Sequence, residues 1–156
     1  MIIRKFRAQD TREVAKIIKE TFQKYNHADG SKEAIRKYVE RFEEDKLSAL
    51  TDSLQKGRIV LIAEDNGRIM GVVRGDENRV SNLFVDGRYH GRGIGRRLID
   101  EFEKKAREFG SDYINIKSSL YAVPFYQHMG YTRTTGIRKA KRLWGIKYQP
   151  MIKRLK

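Results

Sequence analysis

Hydrophobic and polar residues alternate with two different periods along this chain, and each period predicts a different kind of element. Between residues 10 and 54, apolar residues recur every three or four positions, which is typical of amphipathic helices. Asp10 followed by Glu13 predicts a capping box for the first helix, and Ser31 predicts the N-cap of the second. The polar stretch 26–30 separates the two, and apolar residues after 46 predict that the second helix continues past a bend.

Strands are predicted where the period is two or where β-branched residues form a short run. Asn66 and Gly67 together are a strong signal for a hairpin. A turn over residues 75–78 then leads into the next strand. The strands predicted in this half of the chain are residues 2–7, with the character of an edge strand, and residues 58–64, 68–74 and 80–85.

The stretch from Val80 to Ile99 predicts a strand, then a turn rich in glycine and arginine, then a helix that ends at Gly110. The apolar residues at helical spacing in this helix are Leu98, Phe102, Ala106 and Phe109. After the helix, the pattern predicts a strand over 113–117, a short helix over 122–129, and two closing strands, 131–135 and 145–155, joined by the basic segment 138–142.

The predicted order of elements is therefore β-α-α-β-β-β-α-β-α-β-β. Adjacent antiparallel strands followed by a parallel crossover imply an α/β (α+β) fold, with a mixed, mostly antiparallel central sheet of about seven strands and helices on both faces. No repeat, linker or low-complexity tract interrupts this pattern. We therefore expect residues 1–156 to form a single domain.

Composition limits the kinds of catalytic group, metal site and partner that this chain can have. The chain has no cysteine, which excludes a thiolate nucleophile, and its three histidines have no ligand spacing, so no metal site is expected. No apolar run approaches the roughly 18 residues of a membrane span, and residues 1–6 do not form a signal peptide, so the expected location is the cytoplasm. The net charge of +14 favours anionic partners, either nucleic acid or a phosphorylated cofactor, unless it only solvates the surface.

The turn before the central helix has the composition of an anion site. Four glycines fall within residues 87–95, so the backbone can approach a ligand closely with free N–H groups at a helix N-terminus. Arg92, Arg96 and Arg97 stand where they can add charge-assisted contacts. The turn matches neither the dinucleotide fingerprint nor the P-loop. Its alternative interpretation is a tight turn with a solvated basic rim.

Three segments, in order, resemble the GNAT superfamily of acyl-CoA-dependent N-acetyltransferases. The hairpin 66–73 is similar to the family's strand pair. The sequence Leu-Phe-Val at 83–85, followed by His-Gly-Arg-Gly-Ile-Gly at 90–95, is similar to the signature [Q/R]-x-x-G-x-[G/A]. Residues 122–131, Ala-Val-Pro-Phe-Tyr-Gln-His-Met-Gly-Tyr, are similar to the later motif A-x-x-[F/L]-Y-x-x-x-G-[F/Y]. The order of elements agrees over the whole chain.

The resemblance implies acetyl transfer from acetyl-CoA to a primary amine, by direct attack in a ternary complex. It implies a GNAT-like sheet with splayed central strands, in which the N–H of Leu83 stabilises the oxyanion and backbone groups of Leu83 and Val85 are free to pair with pantetheine. The residues that the resemblance assigns to binding acetyl-CoA are Leu83, Phe84, Val85, His90, Gly91, Arg92, Gly93, Ile94, Gly95, Arg96, Ser119 and Tyr126.

The same resemblance gives Tyr126 the role of general acid for the departing thiolate. The alternative for Tyr126 is a core aromatic residue beside Phe125. Ser119 stands where the family often has an asparagine that contacts the cofactor, and a serine still offers one hydrogen bond. His90 replaces the usual Gln or Arg of the signature, and either titrates near neutrality or is a solvated loop residue.

The general base is not assigned by the sequence. The family's glutamate positions correspond here to Arg79 and Ile114, neither of which accepts a proton. Asp76 and Glu77 lie just upstream of Arg79. They act as the base directly or through water, or they are ordinary turn residues.

Two further function classes stay open at this level. One is a non-catalytic, regulatory acyl-CoA-binding module, which does not need Tyr126. The other is a nucleic-acid-associated or ribosome-associated protein, whose surface includes the basic segment and Trp144; the residues concerned are Arg138, Lys139, Lys141, Arg142 and Trp144. The strong positive charge favours a peptide, an acidic protein or an anionic amine as acceptor over a polyamine, and the chain is expected to be a monomer or a homodimer.

Overall fold

The computed structural model describes residues 1–155, in which it contains eight strands and five α-helices. The strands are β1 (Ile2–Lys5), β2 (Ile59–Asp65), β3 (Arg68–Asp76), β4 (Arg79–Val85), β5 (Tyr113–Ser118), β6 (Thr132–Arg133), β7 (Arg138–Ala140) and β8 (Ile146–Arg154). The helices are α1 (Thr11–Tyr25), α2 (Lys32–Glu40), α3 (Leu47–Lys56), α4 (Ile94–Glu108) and α5 (Val123–His128).

The strands form one sheet in the order β1-β2-β3-β4-β5-β8-β6, and β7 adds to β8 beside this path. All neighbours are antiparallel except β4 and β5, which are parallel and are connected through α4. The predicted mixed, mostly antiparallel sheet is therefore confirmed. The sheet has eight strands instead of about seven, because part of the predicted basic segment, Arg138–Ala140, pairs with β8.

Each face of the sheet is covered by its own hydrophobic core. Along β2, Ile59 and Leu61 pack in a cluster with α4 and α5, whereas Val60 and Ile62 pack in a second cluster with α1, α2 and α3. Side chains of a strand point alternately to opposite faces, so a strand buried on both faces reads as the continuous apolar run seen here. The helices therefore lie on both faces, as predicted.

The two central strands separate soon after they meet. Pairing between β4 and β5 is limited to Arg79 with Asn115 and Val80 with Ile116. The next residue, Ser81, is skipped in the register between β3 and β4, which marks a β-bulge. A bulge bends its strand and interrupts pairing. The predicted splay of the central strands is thus present, and it begins where the bulge turns β4 away.

Several local predictions hold. Ser31 caps α2 by accepting a hydrogen bond from the Ala34 N–H at 3.0 Å. Asn66 and Gly67 have left-handed backbone conformations in the β2–β3 hairpin, as the dipeptide predicts. Gly110, at φ +90°, follows the end of α4. Leu47 begins a separate helix, α3, after the predicted bend.

Other local predictions are wrong for identifiable reasons. Asp10 makes no capping bond for α1, because its carboxylate accepts from the Arg4 guanidinium and from the Arg7 N–H. Gly75 belongs to β3 instead of to a turn, at a point where a Cβ would lie 2.0 Å from the Arg79 carbonyl oxygen. Phe109 is predicted on the apolar face of the central helix. It lies instead just beyond α4, is 48% exposed, and has its ring covered by the Arg58 guanidinium.

None of the helices in residues 1–155 combines the length and the apolar character that a membrane crossing requires.

Candidate active site

The splay between β4 and β5 opens into a cavity of about 970 Å³. The cavity passes through the sheet, since its walls include Tyr126 from the core beside α4 and α5, and Phe22 and Tyr38 from the core beside α1 to α3. We call the end at residues 91–96 the glycine-loop end. The opposite end, between α1, α2 and the β7–β8 hairpin, is called the far end.

The glycine-loop end is shaped by the chain between β4 and α4. Asp86 directly follows β4, is buried, and accepts hydrogen bonds from the Arg88 N–H and the Arg88 guanidinium. This ion pair with Arg88 lowers the pKa of Asp86 against the opposing effect of burial. Gly91 and Gly93 then both have φ +79°, a left-handed conformation that other residues adopt only with strain. The loop is thereby turned into the N-terminus of α4.

Six consecutive N–H groups, from residue 91 to residue 96, have no acceptor within residues 1–155. The first backbone bond of the helix is donated by Arg97, to the Gly93 carbonyl, so the N–H groups before it are free. A Cβ added at Gly91 or Gly93 would meet nothing within 4 Å, which leaves open space in front of both residues. Free donors, open space and the positive end of a helix dipole suit a phosphate group.

The three arginines predicted beside this loop do not share one role. Arg96 lines the cavity. Arg92 is exposed and lies over the ring of Tyr89, 5.5 Å from its centroid. Arg97 donates to the Met1 carbonyl at 3.4 Å. Of these three arginines, only Arg96 is placed to add charge inside the cavity.

The open edge of β4 presents backbone groups to the cavity. The Asp86 N–H donates to the Met70 carbonyl at 2.8 Å, and bonded residues alternate in an antiparallel ladder. Phe84 is therefore turned toward β3, while Leu83 and Val85 direct their N–H and C=O groups toward the gap. The Phe84 side chain is buried in the core beside α1 to α3, so this residue contributes packing to the cavity wall.

The His90 side chain makes two contacts with other parts of the chain. Its Nε2 lies 2.7 Å from the Val85 carbonyl oxygen, and its ring is 4.8 Å from that of Tyr25. Tyr25 in turn stacks at 4.8 Å on Tyr121, which follows β5. His90 is thus an exposed loop residue whose ring is held by one hydrogen bond and one aromatic contact, and its part in binding acetyl-CoA stays a prediction. The Val85 carbonyl, predicted to be free, already has one partner and keeps one further lone pair.

Tyr126 and Ser119 line the same cavity. Tyr126 is buried, 4% exposed, and burial raises the pKa of its hydroxyl, with no hydrogen bond acting on it. Its ring also packs edge-on against Phe125 and Tyr131, so the core role and the cavity role coexist. The Ser119 hydroxyl oxygen accepts from the Ala122 N–H at 3.3 Å, ahead of α5, and its proton stays available for a ligand.

The two acidic residues considered as general bases lie elsewhere. Asp76 pairs with Arg79 at 3.0 Å and Glu77 pairs with Arg58 at 3.1 Å, and neither lines the cavity. Within residues 1–155, the one carboxylate on the cavity wall is Asp29. It is 2% exposed and accepts from the Asn26 amide at 3.0 Å. Burial raises the pKa of Asp29, opposed by nearby donors and by the charge of Lys147.

Sequence reasoning missed the far end almost entirely. Asp29 falls in the polar stretch 26–30, which the sequence pattern predicts only as a break between two helices. The basic segment considered for nucleic acid reaches this end of the cavity instead. Three of its members line the wall, and Lys147 from β8 joins them; the four cationic residues are Lys139, Lys141, Arg142 and Lys147. No motif signals these positions, because they come together only when α1, α2 and the β7–β8 hairpin pack.

Comparisons with known proteins agree with this architecture. A family model described as "Acetyltransferase (GNAT) domain" matches residues 26–155. A GCN5-related N-acetyltransferase from Rhodopseudomonas palustris has a similar structure, with a TM-score of 0.85 at 22% identity over 98% of this chain and 94% of that one. PaiA N-acetyltransferase from Thermoplasma acidophilum, solved in complex with coenzyme A, has a TM-score of 0.78 at 19% identity over 98% of both chains.

A third similar structure is YncA, a putative acetyltransferase from Salmonella typhimurium, solved with its cofactor acetyl-CoA. Its TM-score is 0.70 at 20% identity, over 100% of this chain and 94% of that one. At these identities the solved structures support the fold alone. The family model supports the activity class, which is that of an acyltransferase. The predicted resemblance is confirmed: the chain belongs to the GNAT family of acetyltransferases.

Proposed function

We propose that this protein transfers an acetyl group from acetyl-CoA to a primary amine, by direct attack while both are bound. The observation that carries the proposal is that one cavity joins three features: six free N–H groups at residues 91–96, the open edge of β4 at Leu83 and Val85, and the Tyr126 hydroxyl. When bound, acetyl-CoA supplies the acetyl group as a thioester, and coenzyme A leaves as the thiolate, which takes up a proton from solvent on release. The rest of the chemistry falls to residues of this chain.

The glycine-loop end would hold the pyrophosphate. Its N–H groups need no side-chain movement to reach a ligand, because the backbone conformation of Gly91 and Gly93 already exposes them. Arg96 adds a positive charge, and Ser119 adds a hydroxyl donor on the opposite wall. The solved relatives named with coenzyme A or acetyl-CoA support this assignment.

The edge of β4 would orient the acyl group. The N–H of Leu83 points into the gap and can donate to the oxygen that gains negative charge during attack. A single such donor contributes about 3–4 kcal/mol in enzymes where it has been removed. Val85 presents a second N–H to the same gap, and His90 fixes the end of this strand through the Val85 carbonyl.

Two buried groups are assigned to the proton of the amine and to the leaving sulfur. Asp29 takes the proton that the amine loses, directly or through water, since it is the one carboxylate on the cavity wall within residues 1–155. The raised pKa of Asp29 brings it closer to that of an effective base. The raised pKa of Tyr126 keeps its hydroxyl protonated, so it stabilises the leaving sulfur by donating a hydrogen bond.

A direct attack is favoured by composition. The chain contains no cysteine, so no thiolate is present to carry the acetyl group in a covalent intermediate. A non-catalytic module would have no use for the Tyr126 hydroxyl in the cavity or for the carboxylate of Asp29. A nucleic-acid role, oligomerisation and a cytoplasmic location stay predictions.

The test begins with binding. Saturating acetyl-CoA should raise the Tm of the purified protein by about 5–10 °C, the shift expected when the ligand exceeds its Kd about a hundredfold. Coenzyme A release should then depend on an added amine, with intersecting initial-velocity patterns. No Tm shift at millimolar acetyl-CoA would contradict the proposal, and release of coenzyme A with formation of acetyl-enzyme before any amine is added would contradict direct attack.

A further inference from the structure

A second pocket, of about 440 Å³, opens beside the far end of the cavity. We call it the side pocket. It shares Tyr38, Asn82 and Leu143 with the cavity wall, so the two spaces adjoin. Asn82 immediately precedes Leu83, and the alternation of the strand places Asn82 on the face of α1 to α3, like Phe84. The side pocket is therefore within one residue of the edge proposed to hold the acyl group.

The walls of the side pocket carry three positive charges and no negative one. Arg41, Lys46 and Arg74 line it, and no Asp or Glu does. The Arg74 guanidinium is oriented by a bond to the Ser53 hydroxyl at 2.8 Å. The Arg41 guanidinium lies over the ring of Tyr38, 5.3 Å from its centroid.

Most of the acidic residues nearest in sequence are engaged with other cations. Glu40 pairs with Arg36, Glu43 with Lys19, Glu44 with Arg12 and Asp76 with Arg79. Asp45, next to Lys46, forms no salt bridge within residues 1–155 and does not line the side pocket. Within residues 1–155, none of the three cations of the side pocket forms a salt bridge. Burial, together with the like charge of Arg41, lowers the pKa of Arg74, and Tyr38 and Asp76 offset this only in part.

We infer that the acceptor is an amine that carries an anionic group, a carboxylate or a phosphate, and that this group binds Arg41 and Arg74 in the side pocket. The inference rests on the proposed acetyl transfer. An anion there would be attracted by two like charges at once, and the planar guanidinium groups suit bidentate binding of either oxyanion. The amine would then extend past Asn82 toward the edge of β4.

The first experiment compares matched acceptors at saturating acetyl-CoA. The pairs are butylamine with 4-aminobutyrate, and ethanolamine with O-phosphoethanolamine, which distinguish carboxylate from phosphate. The expected result is a kcat/KM about 10–100-fold higher for the anionic member of at least one pair, the range for hydrogen bonds to charged groups. Equal or better turnover of both neutral amines would overturn the inference.

The variants are R74Q and R41Q, with R68Q as the matched control. Arg68 lies on the same strand as Arg74, is exposed, and lines neither pocket. R74Q and R41Q should lower kcat/KM for the anionic acceptor more than for the neutral amine, so that the preference is lost, and R68Q should keep the preference. A preference unchanged in both R74Q and R41Q would overturn the inference.

A binding measurement separates this inference from the proposed function. Inorganic phosphate is titrated against the protein already saturated with coenzyme A, and the Tm is followed. We expect a shift in the unmodified protein and in R68Q, and its loss in R74Q. If no amine is turned over but the shift depends on Arg74, the proposed function fails and the anion site stands. A shift that is absent, or that is equal in R74Q, rejects the anion site.

Discussion

At the glycine-loop end of the cavity, six consecutive residues present backbone N–H groups, and the side chains contribute mainly Arg96. At the far end, the wall is made of side chains from α1, α2 and the β7–β8 hairpin, which are distant in sequence. A site built from backbone suits a ligand that is the same across many proteins, because most side chains can vary without altering it. A site built from side chains is where one protein can differ from its relatives. We therefore expect the donor to bind at the first end and the acceptor at the second.

The largest effect is expected from Gly93→Val, which tests whether the backbone of the loop is the donor site. A β-branched residue is strongly disfavoured at φ +79°, so the loop should rearrange and lose several charge-assisted bonds. We expect the Kd for coenzyme A, measured by calorimetry, to rise about 10³-fold, equivalent to two or three such bonds.

The matched control is Gly67→Val. Gly67 has φ +77° and equally open surroundings, but lies in the β2–β3 hairpin. Both variants should lose about 1–2 kcal/mol of stability from the same strain. If the two variants bind coenzyme A equally well, the loop is not the donor site.

The next effect in size is expected from Tyr126→Phe. Loss of the hydroxyl should lower kcat about 100-fold and leave the Kd for coenzyme A within about threefold, since the ring packing is retained. Tyr131→Phe is the control, because the Tyr131 hydroxyl donates to buried Glu103 at 3.0 Å and does not line the cavity. That variant should lose stability and keep its kcat. Unchanged kcat in Tyr126→Phe would show that its hydroxyl has no catalytic role.

The far end is tested by Asp29→Asn, through pH dependence. Asp29 accepts a proton only when ionised, so the rate should fall as the pH drops through its pKa, which burial raises above the ordinary value. Asp29→Asn should remove this acid limb and lower kcat/KM for the amine about 10–100-fold at pH 7. Asp76→Asn, at the alternative base, should retain both the limb and the rate. Retention of the acid limb in Asp29→Asn would rule out Asp29 as the base.

Asp29 also has a consequence for stability, with the sign opposite to that of most carboxylates. A carboxyl whose pKa is raised in the folded state loses stability as the pH rises from its ordinary value of 3.8 through the folded pKa. Asp29→Asn should therefore not lower the Tm at pH 7. A marked loss of stability there would mean that the ionised carboxylate holds the fold together.

The smallest effect is expected from Ser119→Ala, which probes the wall opposite the glycine loop. Loss of one neutral hydroxyl should raise the Kd for coenzyme A about threefold, in line with about 0.5–1 kcal/mol for such a bond. Ser111→Ala is the control, since its hydroxyl bonds the Tyr113 carbonyl at 2.7 Å away from the cavity. An unchanged Kd in Ser119→Ala would mean that the Ser119 hydroxyl only accepts from the Ala122 N–H and does not contact coenzyme A.

How well the sequence predicted each part follows from how that part is built. The glycine loop, the β2–β3 hairpin and the cap at Ser31 are local, so their residues alone determine them. Asp10 misled the prediction because a tertiary partner, Arg4, bonds its carboxylate. Asp29 carries no motif, and its burial depends on how α1 and the loop after β5 pack. The far end could therefore be recognised only from the folded chain.

The short contact between β4 and β5 has a mechanical consequence. Only two residue pairs join these strands, so the sheet consists of two plates that meet at one corner and are linked through α4. An extended molecule that bonds along the free edge at Leu83 and Val85 would act as an additional strand and stiffen the junction. We therefore expect the sheet to become more rigid when the gap is occupied, with slower deuterium exchange at those two amides.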